Sequence, residues 1–219
     1  AANSELSCFL ICDKSRRCGD DCDSKAAKNL WNFIFFGALG HSVTESGSAV
    51  EYTEGLIAGA EIGEVIIGKA GTPGQLGGAF DVENPIGIIL ANGDCGIYGV
   101  LKRGGGSDTV DTAHANEIVT GPAVIRSTIS GSDVEEYNVE IVRIYSGTDD
   151  NRCFMLRVTD QRLLNATGGI VQGMSGSPII QNDKLVGAVT HVLISDPTRG
   201  YGITLDKMLT AAGYEENAA

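Results

Sequence analysis

Basic residues are scarce in this chain. Sixteen Lys and Arg stand against 28 Asp and Glu in 219 residues, a formal net charge of −12. An acidic surface repels phosphate backbones and anionic headgroups, which excludes a general nucleic-acid or membrane-surface binder. Long apolar runs are missing as well. The longest, residues 31–39, contains Asn32, Gly37 and Ala38 and falls far short of the roughly 20 residues a membrane span needs. Histidine is rarer still: His41, His114 and His191 are the whole supply of imidazole bases. Hydrophobic content of 42% and a mean hydropathy of +0.04 nevertheless exclude a disordered acidic tail. The length suits one large domain or two small ones.

Glycine is abundant: 30 residues, about twice the usual ~7% share, with no Gly-X-Y period. The glycines punctuate short Val/Ile runs, the pattern of tight turns between many short strands, so the expected class is all-β. Strands are predicted at residues 4–12, 29–39, 50–52, 63–68, 86–90, 95–101, 117–129, 137–145 and 154–158. A further pair, 178–181 and 185–194, is joined across Asn182-Asp183, a turn dipeptide. Residues 165–173 are predicted as a loop. Residues 206–213 open on Asp206 and end on Gly213, the signals of a short C-terminal helix. The three consecutive glycines at 104–106 divide the chain into a Cys-rich N-terminal extension (1–28), a first β-rich unit (29–104) and a second with the helix (105–219).

The chemistry-bearing segment is Gly173-Met174-Ser175-Gly176-Ser177-Pro178. Glycines on both sides of Ser175 permit a tight turn that exposes its hydroxyl and aims the Gly173 and Ser175 N–H groups at one point. A developing oxyanion requires such a pair of donors. A serine nucleophile needs a base. His41 follows an apolar strand and the small residues of GALGH, which leave room for an imidazole in a cleft. His114 lies in a polar stretch and suits a solvated surface role. His191 sits mid-strand, 16 residues after Ser175, and fits either a substrate pocket or a hydrogen-bonded core position.

GALGH, TPGQL, Val158-Thr159-Asp160, GGIVQGMSGSPIIQNDKLVGAVTHV and Asp196-Pro197-Thr198-Arg199-Gly200-Tyr201-Gly202 together resemble the stage IV sporulation protein B peptidase family, over residues 36–210. The resemblance implies a chymotrypsin-like serine endopeptidase: two antiparallel β-barrels with the active site between them and a short C-terminal helix. It puts the catalytic base on His41, the nucleophile on Ser175 and the orienting carboxylate on Asp160. Asp81 and Asp94 lie where most such enzymes carry that acid. No cofactor is required. The implied substrate is a protein, a membrane-associated regulator in sporulation signalling. The implied location is outside the cytosol, in the space between mother cell and forespore. Family members carry a membrane anchor and a PDZ domain ahead of the peptidase, so this chain is expected to be the peptidase part.

In such barrels the strand after the nucleophile lines the specificity pocket. His191 or Thr190 would therefore contact the substrate, the two pointing to opposite faces. A donor imidazole at His191 favours Gln, Glu or a small hydroxyl residue and disfavours Lys and Arg. The departure from the family is the cluster Cys8, Cys12, Cys18 and Cys22. Four cysteines in 15 residues suit two disulfides, one tetrahedral zinc or free thiols. Cys95 and Cys153 are expected as lone core residues. Two other functions are compatible with the same residues: a catalytically silent binding module on the same barrels, and a Cys-rich zinc-stabilised interaction module.

Overall fold

The computed structural model describes residues 33–45, 48–49, 55–102, 110–145 and 150–213. The cysteine cluster at residues 8–22, the strand predicted at 4–12 and the glycine run at 104–106 lie outside them. The chain is mostly β. Its first half holds β1 (Phe33–Ala38), β2 (Thr44–Glu45), β3 (Ser48–Ala49), β4 (Gly55–Ile57), β5 (Ala60–Ile66), β6 (Gln75–Phe80), β7 (Gly87–Gly93) and β8 (Gly96–Lys102). Among the described residues, β1-β8-β7-β4 form an antiparallel sheet, while β2–β3 and β5–β6 are separate hairpins, so no closed barrel is traced by their pairings.

The second half does close. It contains β9 (Asp111–Thr112), β10 (Gly121–Ser127), β11 (Glu135–Ile144), β12 (Phe154–Val158), helix α1 (Gln161–Thr167), β13 (Pro178–Gln181), β14 (Lys184–Val192), β15 (Arg199–Thr204) and helix α2 (Leu205–Ala211). The order β13-β10-β11-β12-β15-β14 returns to β13, giving a six-stranded barrel with β9 added in parallel along β14. Alternation drives closure. On β12, Phe154, Leu156 and Val158 are buried while Arg157 is exposed. Ile125, Val139, Ile141, Ile179, Val189 and Ile203 fill the same core. Truncating one such buried side chain to Ala costs about 2–5 kcal/mol.

The turn between β13 and β14 falls on Asn182 and Asp183, as the sequence suggests; both take positive φ, at 52° and 62°. Two boundaries differ from the sequence reading. The strand expected from residue 117 starts at Gly121, after a 3₁₀ turn over Ala115–Glu117. The loop expected from residue 165 is helical up to Thr167, because Asp160 caps α1 and Gly168 ends it at φ 78°. Cys153 is buried, whereas Cys95 is only half-buried and its thiol lies 3.4 Å from Asn151 Oδ1.

The two halves are joined by more than chain connection. The β5–β6 hairpin reaches across to the barrel: Ile62 and Leu76 are buried in its core. Leu76 N–H donates to Gln172 O at 2.8 Å, and Gln172 N–H donates to Gly74 O at 2.9 Å. Gln172 lies three residues before Ser175, so a strand of the first half braces the turn that carries the candidate nucleophile.

Candidate active site

His41 is delivered by a strained turn. After β1, Leu39 and Gly40 both adopt left-handed backbone, at φ 74° and 79°. Leu39 is buried, and a non-glycine residue held there costs of order 1–3 kcal/mol, a strain that clusters at functional sites. Gly40 is required twice over, by its φ and by space. A Cβ there would lie 2.6 Å from Ile203 Cγ2 and 2.9 Å from Thr190 Cγ2, so the backbone just before His41 rests directly on the barrel. Gly40→Ala is expected to lower stability by about 1–2 kcal/mol and activity about tenfold, through displacement of His41. Thermal melting and active-site labelling of the same sample check both numbers.

His41 Nδ1 is held by a backbone carbonyl. Nδ1 lies 2.9 Å from Ser42 O. A carbonyl only accepts, so in the neutral ring Nδ1 carries the proton and Nε2 the lone pair. The next residue is gripped in turn: Val43 N–H donates to Asn92 Oδ1, and Asn92 Nδ2 donates to Val43 O, each at 2.9 Å.

Ser175 follows Gly173 (φ 95°) and precedes Gly176 (φ 85°). The glycine at 173 is dictated by the brace described above, because a Cβ there would sit 3.1 Å from Leu76 Cβ in addition to the backbone strain. Met174 is buried beneath the turn, and Gly176 N–H donates to Val189 O, which pins the turn to β14. Ser175 is half-buried, and its hydroxyl donates to Thr190 O at 2.8 Å.

His41 and Ser175 line one cleft, together with Pro73, Gln172, Thr190 and His191. The His41 and His191 rings lie 5.0 Å apart, centroid to centroid. His191 is exposed at the cleft, so its alternative reading as a core histidine does not hold. Partial desolvation first, then the nearby His41 ring and Arg152, push its pKa down to about 4. At neutral pH it is therefore a neutral imidazole. Thr190 is buried; its Oγ1 lies 3.2 Å from Tyr201 O and its methyl rests near Gly40.

Asp160, on which the family resemblance put the orienting role, bonds Arg162 and Asn138 and has no described hydrogen bond to His41. It stands at the N-terminus of α1, buried, and both oxygens are committed. Oδ1 accepts from Arg162 N–H and Nε, and Oδ2 from Arg162 Nη2 and Asn138 N–H. The Arg162 guanidinium foremost, helped by the two backbone donors against the cost of burial, holds its carboxyl at about 2. The physical reason for these bonds is local: α1 begins directly after β12, and a helix start takes up an acidic cap. Of the other acids considered, Asp81 hydrogen-bonds Asn84 in an exposed turn and Asp94 is exposed at the β7–β8 turn. His114 lies away from the cleft, with Nδ1 3.6 Å from Asp206 Oδ1.

Three groups at the site escaped the sequence reading: the Ser42 carbonyl, the Thr190 carbonyl and Asn92. Two are backbone atoms, which every residue has, and the third is an asparagine 51 positions from His41 with no motif around it. Among the described residues, no group of three or more His, Cys, Asp or Glu is gathered to hold a metal, and no helix is long and apolar enough to cross a membrane.

The family model described as SpoIVB peptidase S55 matches residues 32–209. No curated protein matches the chain. Among solved structures, the inactive form of the Rv3671c protease is similar at 19% identity, covering 64% of this chain and 73% of that one, with a TM-score of 0.42. The active form of the same protease, from M. tuberculosis, is similar at 15% identity over 89% of this chain and 86% of that one, with a TM-score of 0.44.

Proposed function

From the premise that this chain belongs to the SpoIVB peptidase S55 family, and so is a serine endopeptidase, we propose that Ser175 is its nucleophile and His41 its general base. One observation carries the assignment: His41, from the first half, and Ser175, from the second, line the same cleft, with His41 protonated at Nδ1 and basic at Nε2. In the reaction, the Ser175 hydroxyl turns from Thr190 O toward Nε2. It attacks the scissile carbonyl as its proton passes to His41, and the same proton then goes to the leaving amine. The N–H groups of Gly173 and Ser175 stabilise the oxyanion, a contribution of about 3 kcal/mol per donor in comparable sites. Water then repeats the sequence on the acyl-enzyme. The Ser42 carbonyl, in place of Asp160, keeps the His41 tautomer. A fluorophosphonate probe tests the assignment: it should label Ser175, and no other residue, in the folded protein. Labelling elsewhere, or none under conditions where peptides are cut, refutes it.

The substrate is a protein, and the family's role points to a membrane-associated regulator cleaved in sporulation signalling, between mother cell and forespore. Selectivity for a polar, non-basic residue before the scissile bond is assigned to His191. As a neutral imidazole it offers one donor and one acceptor to an amide, a hydroxyl or a carboxyl group. Thr190 contributes through its carbonyl and by packing. His191→Ala is expected to flatten the preference about tenfold in a random-peptide cleavage screen. A strong wild-type preference for Lys or Arg, or an unchanged profile in the variant, is the contrary result. The 5.0 Å spacing from His41 also predicts that a basic residue at 191 depresses activity, because a second cation there opposes formation of the imidazolium.

A further inference from the structure

We infer that Asn92 is a positioning residue for the His41 base, acting through the Ser42–Val43 peptide; this rests on His41 being that base. A peptide unit is planar, so the Ser42 C=O and the Val43 N–H belong to one rigid plate and point in opposite directions. Asn92 Oδ1 accepts the Val43 N–H at 2.9 Å, and its Nδ2 donates to Val43 O at 2.9 Å. Two bonds from one planar carboxamide leave it no freedom to rotate without breaking both. Fixing the direction of the Val43 N–H fixes the Ser42 C=O on the other edge of the plate, and His41 Nδ1 donates to that oxygen at 2.9 Å. The series therefore runs from the Asn92 carboxamide through one peptide plane to the Nδ1 proton, and leaves Nε2 as the basic nitrogen in the cleft.

The fold supplies this arrangement across the sheet. Asn92 pairs with Ile97, and Ile97 pairs with Ala38, the last residue of β1. The end of β7 thus lies two strands over from the turn that launches His41. Val43 is buried and Asn92 half-buried, so water competes poorly for the two bonds. In triad enzymes the orienting group is a carboxylate, whose replacement by a neutral amide costs about 10⁴-fold by allowing the wrong tautomer. Here the oxygen at Nδ1 belongs to a neutral peptide. The orientation of its plane sets where that oxygen points, which makes the residue that holds the plane the one to test.

The test uses protein labelled with ¹⁵N-histidine. Long-range ¹H–¹⁵N spectra report which nitrogen of each ring carries the proton, and loss of a signal in His41→Ala identifies that of His41. Fluorophosphonate labelling, read as separate maximal rate and half-saturation, reports the activated nucleophile. In the native chain His41 is expected wholly as the Nδ1–H form. Asn92→Ala should give a mixture of tautomers and a maximal labelling rate lower by about 10- to 100-fold, with half-saturation within twofold. Asn92→Asp keeps the volume and the acceptor for Val43 N–H while losing the donor. It should retain the Nδ1–H form and lose no more than about tenfold. A purely structural asparagine would shift melting temperature without moving the tautomer. An Asn92→Ala protein with a single Nδ1–H tautomer, or an Asn92→Asp protein as mixed as the Ala variant, overturns the proposal. If Asn92→Ala does not fold, the Asp variant decides: an Nδ1–H spectrum supports and a mixed one overturns. Failure of the base assignment looks different, since His41→Ala would then label at the native rate whatever the tautomer of its ring.

Discussion

Replacing Ser175 with Ala is expected to lower peptide cleavage by a factor of about 10⁵–10⁶ while the fold holds, and His41→Ala should cost nearly as much, because nucleophile and base act as a unit. The fold should survive for a specific reason. Ser175 is half-buried, and the bond its hydroxyl donates to Thr190 O is worth about 1 kcal/mol. The turn around it is held by other groups: Gly176 N–H on Val189 O, buried Met174, and the Leu76–Gln172 brace. Cleavage of an unfolded protein substrate and the melting temperature, measured on the same preparations, give both numbers. A Ser175→Ala protein that still cuts at the native rate would move the nucleophile elsewhere. The double variant should be no worse than either single one, since neither group accelerates the reaction without the other.

Asp160→Ala should act on stability. Its carboxylate caps α1 through Arg162 N–H and satisfies Asn138 N–H, so its loss leaves two backbone donors short of a partner and costs about 3 kcal/mol. Asn at the same position caps helices as well as Asp does. Asp160→Asn is therefore expected to recover most of the stability and to cleave within about fivefold of the native rate, whereas an acid that orients the base would lose about 10⁴-fold on the same change. The pH dependence carries the same signature. The carboxyl titrates near 2 when folded against an ordinary value of 3.8. The unfolded chain thus takes up this proton first as pH falls, and the stabilisation it provides above pH 4 is lost between about 4 and 2. Asp160→Asn should flatten that part of the acid-unfolding curve. A 10⁴-fold loss of cleavage in a stably folded Asp160→Asn protein would return the residue to the catalytic group.

Local signals were sufficient for most of the barrel. The alternation Phe154, Leu156, Val158, the Asn182-Asp183 turn and the Gly173–Pro178 segment each encode their structure within a few residues. The candidate nucleophile and base could be named from the same kind of evidence, because tight glycine turns leave a recognisable spelling. What was not legible depends on partners far along the chain. The Asp160 carboxylate could cap a helix or face an imidazole; the neighbour that decides it, Arg162, becomes meaningful only once a helix starts there. The Asn92 clamp needs a register across three strands, and the carbonyls of Ser42 and Thr190 have no sequence signature. The end of α1 is hard to read because Asn165 and the glycines at 168 and 169 spell a loop, while the helix has only seven residues.

The β5–β6 hairpin has a consequence for how the molecule can be divided. The closed barrel looks self-sufficient, with its own ring of strands and its own core. Yet Leu76 plugs that core from outside, and Gly74 and Leu76 bond the backbone of Gln172, so the turn that carries Ser175 is finished by a part made earlier in the chain. Chain severed at the glycine run would release a barrel with an open socket at Leu76 and an unbraced turn at Gln172. The peptidase is thus not a portable cassette residing in its second half. The turn and the barrel core both draw on the first half, so the unit that holds Ser175 in place spans both.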